Sequence, residues 1–326
     1  GVKGLGAEDA RLTVYASTEA HSSVEKGVKL SGMGLEQFRR IPVDAEYAMR
    51  PELLARAIRN DRESGCRPAC VVATVGTTSS TAIDPLPAIA EICQRHGVWL
   101  HVDAAYAGPA AMVPELRSLF DGIEHADSLV FNPHKWMLVN FDCSAYYVRD
   151  RQALLRTFSI TPEYLRTAQD QQVVNFRDWG IQLGRRFRAL KVWFVLRTYG
   201  VEGLRAMVRG HVALAQELAE RIRGSSNFEL MAPVPFGLVC FRFHPSWARD
   251  GSVLDRLNRE LLRRVNASGR VHLTHTELDE RFVIRMVIGQ RLTARQHVDE
   301  AWELIQGAAR ELQSADEPGS VTMKKG

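Results

Sequence analysis

Two rhythms of apolar and polar positions divide the chain. From residue 11 to about 150, short apolar runs rich in β-branched and aromatic residues alternate with stretches whose apolar positions recur every three to four residues. That alternation predicts βαβ units and a largely parallel sheet. Strands are expected at Leu12–Ser17, Cys70–Gly76, Trp99–Asp103, Ser128–Asn132 and Ala145–Arg149, with helices near 21–30, 51–63, 85–96 and 114–120. Pro51 and Pro85 suit a first helical turn, where a missing N–H is harmless, and Asp84 stands where an N-cap would.

Residues 156–180 break the rhythm with a long polar connection, and loops of that length inside a compact domain are more often functional than idle. Arg185–Tyr199 then sets Phe187, Leu190, Val192, Trp193, Val195 and Leu196 at helical spacing, and a second helix is expected near 203–223. Beyond about 226, strands at Phe228–Met231, Leu238–Phe243, Val271–Thr276 and Phe282–Ile288 mix with helices near 252–267 and 293–312. The expected division is a large α/β domain over 1–200, a small α/β domain over 201–312 and a polar, disordered tail over 313–326.

Composition narrows the classes. In 326 residues, 42 basic and 38 acidic side chains leave a formal charge of +4, too weak and scattered to argue for nucleic acid. No apolar run approaches a membrane span. The five cysteines lack metal or disulfide-framework spacing, which favours reduced thiols in a cytoplasmic protein. His272 and His275 are placed in one strand, where a three-residue offset sends the rings to opposite faces, so a structural role is favoured over metal. The chain opens on Gly-Val-Lys-Gly, which suggests that it begins inside a longer protein.

The candidate chemistry sits at strand ends. His101-Val-Asp103-Ala-Ala105-Tyr106 and Asn132-Pro-His134-Lys135-Trp136 each close an apolar run. Together they place an acid and a lysine at the carboxyl ends of neighbouring strands, where open α/β sheets bind ligands. A lysine withdrawn from water can condense with an aldehyde, because desolvation frees its lone pair. Pyridoxal phosphate further needs a carboxylate to keep its ring nitrogen protonated, the part available to Asp103. Ala104 and Ala105 leave room for a flat ring. His21, after the first strand, could stack on such a ring, although alone it reads as a helix-start residue bonded to nearby backbone. Gly76-Thr77-Thr78-Ser79-Ser80 alone is a turn.

Five motifs in order change the weight of these readings: Ala20-His21-Ser22-Ser23-Val24-Glu25, Ala73-Thr-Val-Gly-Thr-Thr78, Leu100–Gly108, Asn132–Trp136 and Leu183-Gly184-Arg-Arg-Phe-Arg188. From residue 1 to about 312 the chain resembles the group II pyridoxal-phosphate-dependent decarboxylases, closest to the aromatic-L-amino-acid branch. The resemblance implies the fold-type I architecture of the aspartate-aminotransferase kind, with a mainly parallel large domain and a smaller C-terminal α/β domain. It also implies that Lys135 holds the cofactor covalently, Asp103 pairs with its ring nitrogen, and His21 stacks on the ring and positions substrate. Thr78 would lie in the cofactor pocket and Asn132 would contact the phosphate. His134 and Ala105 would line the site, and Gly184 would allow close approach near the substrate side chain.

Pro162-Glu163-Tyr164-Leu165 matches the family's mobile catalytic loop, here about 156–180. Tyr164 is then the donor that reprotonates Cα after carbon dioxide leaves, with the loop closing over the partner's site in a homodimer. Family members carry roughly another third of their length before the point matching residue 1, including dimer helices, a phosphate loop and aromatic pocket residues. These 326 residues alone are therefore expected to bind cofactor poorly and to aggregate or fold incompletely. Decarboxylation of an aromatic L-amino acid to its amine is the expected reaction. Acidic or other amino acids remain open as substrates. A decarboxylating aldehyde synthase, which typically replaces the loop tyrosine or stacking histidine, is the near rival, and a non-catalytic binding remnant the distant one.

Overall fold

A computed structural model describes residues 11–160 and 172–316. Its centre is a six-stranded sheet in the order β2-β1-β3-β4-β5-β6. The strands are β1 (Leu12–Ser17), β2 (Phe38–Ile41), β3 (Arg67–Thr74), β4 (Trp99–Asp103), β5 (Ser128–Phe131) and β6 (Ala145–Val148). The first five run parallel and β6 pairs antiparallel to β5. The chain is thus a mixed α/β protein, as expected. β2 is absent from the sequence reading because Arg39 and Arg40 break its apolar pattern; it lies at the sheet edge, where one flank needs no partner.

The two faces of this sheet differ. Tyr15, Val71, Ala73, Leu100 and Val102 point into the main core, against α2 (Pro51–Glu63) and α3 (Leu86–His96). Val14, Ala16 and Val72 point the other way, against α1 (Ser22–Leu30). The expected helix at 114–120 is a 3-10 helix. Asp84 does not cap α3, whose N-cap is Pro85. Its buried carboxylate instead accepts the backbone N–H groups of Met49 and Thr74, both at 2.7 Å. The tertiary donors outcompete the helix end, and burial still pushes its pKa up to about 6.

A second sheet, β7-β8-β10-β9, is antiparallel and comprises β7 (Phe228–Leu230), β8 (Leu238–Phe243), β9 (Thr274–Leu278) and β10 (Arg281–Val287). Phe241, Phe243, Phe282 and Ile284 face a core shared with α6 (Gly251–Ala267) and α7 (Arg295–Asp316). Leu238, Cys240 and Val283 face the other way and meet Tyr47 and Ala82 of the large sheet's loops. β9 begins three residues later than expected, so His272 precedes it while His275 lies within it, stacked on Phe282 at 4.8 Å between centroids.

After the short α4 (Arg151–Phe158), the helices expected on either side of residue 200 are one element, α5 (Ala189–Arg223), kinked at Gly200, whose φ of 64° lies in the left-handed region. Its amino half leaves Leu190, Trp193, Phe194 and Tyr199 exposed. Its carboxyl half buries Leu204 and Val208, then Ala215, Leu218 and Ile222 in the second core.

Candidate active site

The connectivity locates the site. β1 leads to β2 on one side, whereas the chain next crosses β1 to place β3, β4 and β5 in turn on the other. The order reverses between β1 and β3, and ligands bind at the carboxyl ends beside such a switch point. His21 follows β1, Thr77 and Thr78 follow β3, Asp103 ends β4, and Asn132 follows β5. Four expected site residues, His21, Thr78, Asp103 and Asn132, thus gather along one sheet edge.

Asp103 pairs in register with Thr74 on one side and Val130 on the other. Its Oδ1 accepts the Ala105 N–H at 2.9 Å. The Ala105 carbonyl in turn accepts the Asn132 N–H at 3.0 Å, tying the two strand ends together. Oδ1 of Asn132 is buried with no hydrogen-bond partner in the protein. A buried unpaired amide oxygen is costly, and a bound polar group would relieve it. Asp103 also lines a groove of about 340 Å³ between α1 and the sheet, with Val24, Val72, His101 and Val130. Desolvation lowers the pKa of His101. A cavity of about 510 Å³ lies at the opposite end of β4, beside Trp99 and Asp127.

Lys135 sits in the turn after β5, its N–H bonded to the Asn132 carbonyl at 2.9 Å. The side chain is exposed, contrary to the expectation of a lysine withdrawn from water. The apolar strand before it ends at Phe131, and the turn that follows leaves the sheet. Burial falls instead on its neighbour. Trp136 is 1% exposed, stacks on Tyr106 at 4.9 Å and 7°, and donates Nε1–H to Nδ1 of His211 at 3.0 Å. His211 Nε2 then donates to the Gln290 carbonyl at 3.1 Å. His134 is fixed as firmly, its Nδ1 accepting the Cys143 N–H at 2.9 Å. The Lys135 turn is therefore held on both sides. Trp136 belongs to the motif already singled out, but nothing local in the sequence points to its partner His211, 75 residues on.

His21 is the N-cap of α1, its Nδ1 accepting the Ser23 N–H at 3.2 Å, and its ring is exposed. The bland reading of His21 as a helix-start residue is thus correct as far as its own bonds go. Thr78 is exposed at the tip of the loop after β3. Gly184 is exposed, and no described atom lies within 4 Å of the position a Cβ would take, so no close approach within this chain requires glycine there. Tyr164 lies outside the described residues.

Residues 5–244 match the model of the pyridoxal-dependent decarboxylase conserved domain. The chain belongs to that family. It is 45% identical over 306 residues to a phenylacetaldehyde synthase of Arabidopsis thaliana, covering 93% of this chain and 62% of that protein. It is 43% identical to tryptophan decarboxylase 2 of rice, covering 93% and 61%. The crystal structure of the rice enzyme TDC with PLP and tryptamine superposes with a TM-score of 0.90 at 40% identity, covering 93% of this chain and 63% of that one. The chain thus spans about three fifths of the length of the relatives it matches. Pyridoxal 5'-phosphate is the family's cofactor. The residues present suit it: a carboxylate at one strand end, an amine and a side-chain amide at the next, and alanines between.

Proposed function

We propose that this chain is the catalytic part of a pyridoxal-phosphate-dependent carboxy-lyase that converts an L-amino acid, aromatic by preference, to its amine and carbon dioxide. The observation that carries the reading is the coupling of Asp103 and the Asn132–Lys135 turn through Ala105 at the carboxyl ends of two adjacent strands. Supporting it are the family model and the tryptophan and tyrosine decarboxylases among its relatives.

When bound, pyridoxal phosphate withdraws the electron pair left at the substrate Cα as carbon dioxide departs. Lys135 would hold the cofactor through its amine. Asp103 would keep the proton on the ring nitrogen, and Asn132 would turn its side-chain N–H groups toward the phosphate end. His21 would lie against the ring and orient the substrate so that the carboxylate bond is the one to break. Thr78, Ala105 and His134 line the pocket, with Gly184 nearer the substrate side chain. Tyr164 delivers the proton to Cα, and closure of its loop excludes water.

We assign the two sheets to a large domain over 1–200 and a small one over 201–312. A homodimer, in which the Tyr164 loop crosses to the partner's site, accounts for the exposed apolar half of α5. Free cysteines suit a cytoplasmic setting; no described helix is long and apolar enough to cross a membrane.

A second reading is favoured by one observation: relatives named phenylacetaldehyde synthase stand beside the decarboxylases, and a solved 4-hydroxyphenylacetaldehyde synthase of Rhodiola rosea superposes at TM-score 0.86. The presence of both His21 and Tyr164 supports the amine-forming reaction. The test is to supply the protein that carries this chain with aromatic and acidic amino acids and to score carbon dioxide, amine and aldehyde. Amine equal to carbon dioxide is expected, and Tyr164→Phe should slow its release on the order of a hundredfold or more. Aldehyde in place of amine would establish the second reading, and no carbon dioxide from any substrate would overturn both.

A further inference from the structure

The loop between β3 and α3 closes on itself around Thr77: the Thr81 N–H donates to the Thr77 carbonyl at 2.9 Å, and Thr77 Oγ1 bonds Ser80 Oγ at 3.0 Å. Gly76 and Thr77 donate their N–H groups to the Ala82 carbonyl at 3.0 and 3.1 Å, and Thr77 Oγ1 accepts the Ala82 N–H at 3.0 Å. Gly76 has φ 85°, and a Cβ there would meet Ala107 at 2.8 Å, so the base is also packed tightly on the segment after Asp103. The tip, Thr78 and Ser79, has its carbonyls taken from elsewhere. Arg285 of β10 donates Nη2–H to the Thr78 carbonyl at 2.6 Å and Nε–H to the Ser79 carbonyl at 3.1 Å. Its Nη1 reaches Thr274 Oγ1 at 3.1 Å, which holds the guanidinium plane. Thr276 Oγ1 bonds Ser79 Oγ at 3.0 Å, and Cys240 Sγ lies 3.2 Å from the Ser79 carbonyl.

We propose that Arg285 is a positioning residue for the active site: the small sheet uses its guanidinium fork to fix the Thr77–Ser80 loop at the height needed to close the cofactor pocket. The inference rests on the proposed placement of Thr78 in that pocket. β10 alternates Phe282, Ile284 and Met286 into its own core, so Arg285 falls on the face toward the large sheet. A planar fork spans two successive carbonyls, whereas an ammonium meets them as one point. The site therefore takes one wall from a residue 207 positions beyond Thr78, and the small domain acts on cofactor binding without touching the cofactor.

The test uses the protein that carries this chain, with Arg285→Gln and Arg285→Lys. In cofactor-free protein, amide hydrogen exchange over 76–82 should rise about tenfold in Arg285→Gln, with β8–β10 unchanged. The dissociation constant for pyridoxal phosphate should rise about tenfold, Arg285→Lys should recover part of it, and kcat at saturating cofactor should stay near wild type. Unchanged exchange would overturn the clamp. Faster exchange with unaltered cofactor affinity would overturn its positioning role. Should the wild-type protein bind no cofactor, the proposed function fails, and exchange still decides whether Arg285 holds the loop. If Arg285→Gln does not fold, Arg285→Lys carries the same two measurements.

Discussion

The two faces of the central sheet present the same strands in different settings. Tyr15, Val71 and Val102 are fully buried on the face that α2 and α3 cover. One residue along each strand, Val14, Val72 and His101 belong to the other face, where α1 packs and a groove runs to Asp103. The deepest burial is on the first face, and the proposed site lies at the edge of the second. Cys70-Val-Val-Ala-Thr74 is apolar without alternation, as strands buried on both sides are, and Val71 through Thr74 are indeed all buried.

The strongest challenge to this contrast comes from Trp136, which belongs to the packed face although it follows Lys135. Trp136→Ala should cost about 3–5 kcal/mol in denaturant unfolding and leave His211 without its donor. A loss below about 1 kcal/mol would mean that the turn is not anchored by the core. Asp84 tests the same core by pH. Its folded carboxyl holds the proton up to about pH 6, whereas the unfolded one releases it at about pH 4. The folded state then binds more protons in that window, so stability should fall as pH rises through it, on the order of 3 kcal/mol, and level off above. Asp84→Asn should flatten the slope; an unchanged slope would assign it to other groups.

The contrast is sharpened by making one change twice. Val102→Thr puts a hydroxyl into the packed face and should cost about 1–3 kcal/mol. Val130→Thr, half-buried on the groove, should cost below about 0.5 kcal/mol. Equal costs, read from the two unfolding midpoints, would show that the faces are equally closed.

How far the sequence could be read follows from the range of the forces. β1, β4 and β8 begin and end where their apolar runs do, because burial acts on every residue of the run. β2 and the continuity of α5 through Gly200 depend on neighbours far along the chain, so local patterns missed them. Asp84 shows the same limit, since its N-cap signal was genuine but two distant N–H groups took the carboxylate. In the site, strand ends and motif spacing were legible down to Asp103, Asn132 and Lys135. The exposure of Lys135, the His211 anchor and the Arg285 clamp arise only once distant segments meet.

The central claim is that Lys135, on its anchored turn beside Asp103, is the residue that holds the cofactor. Borohydride reduction of the cofactor-loaded protein, followed by mass mapping of its peptides, addresses this directly. The account predicts the reduced cofactor on the peptide containing Lys135 and its loss in Lys135→Ala. Label on a different lysine, or label that persists in Lys135→Ala, would contradict it.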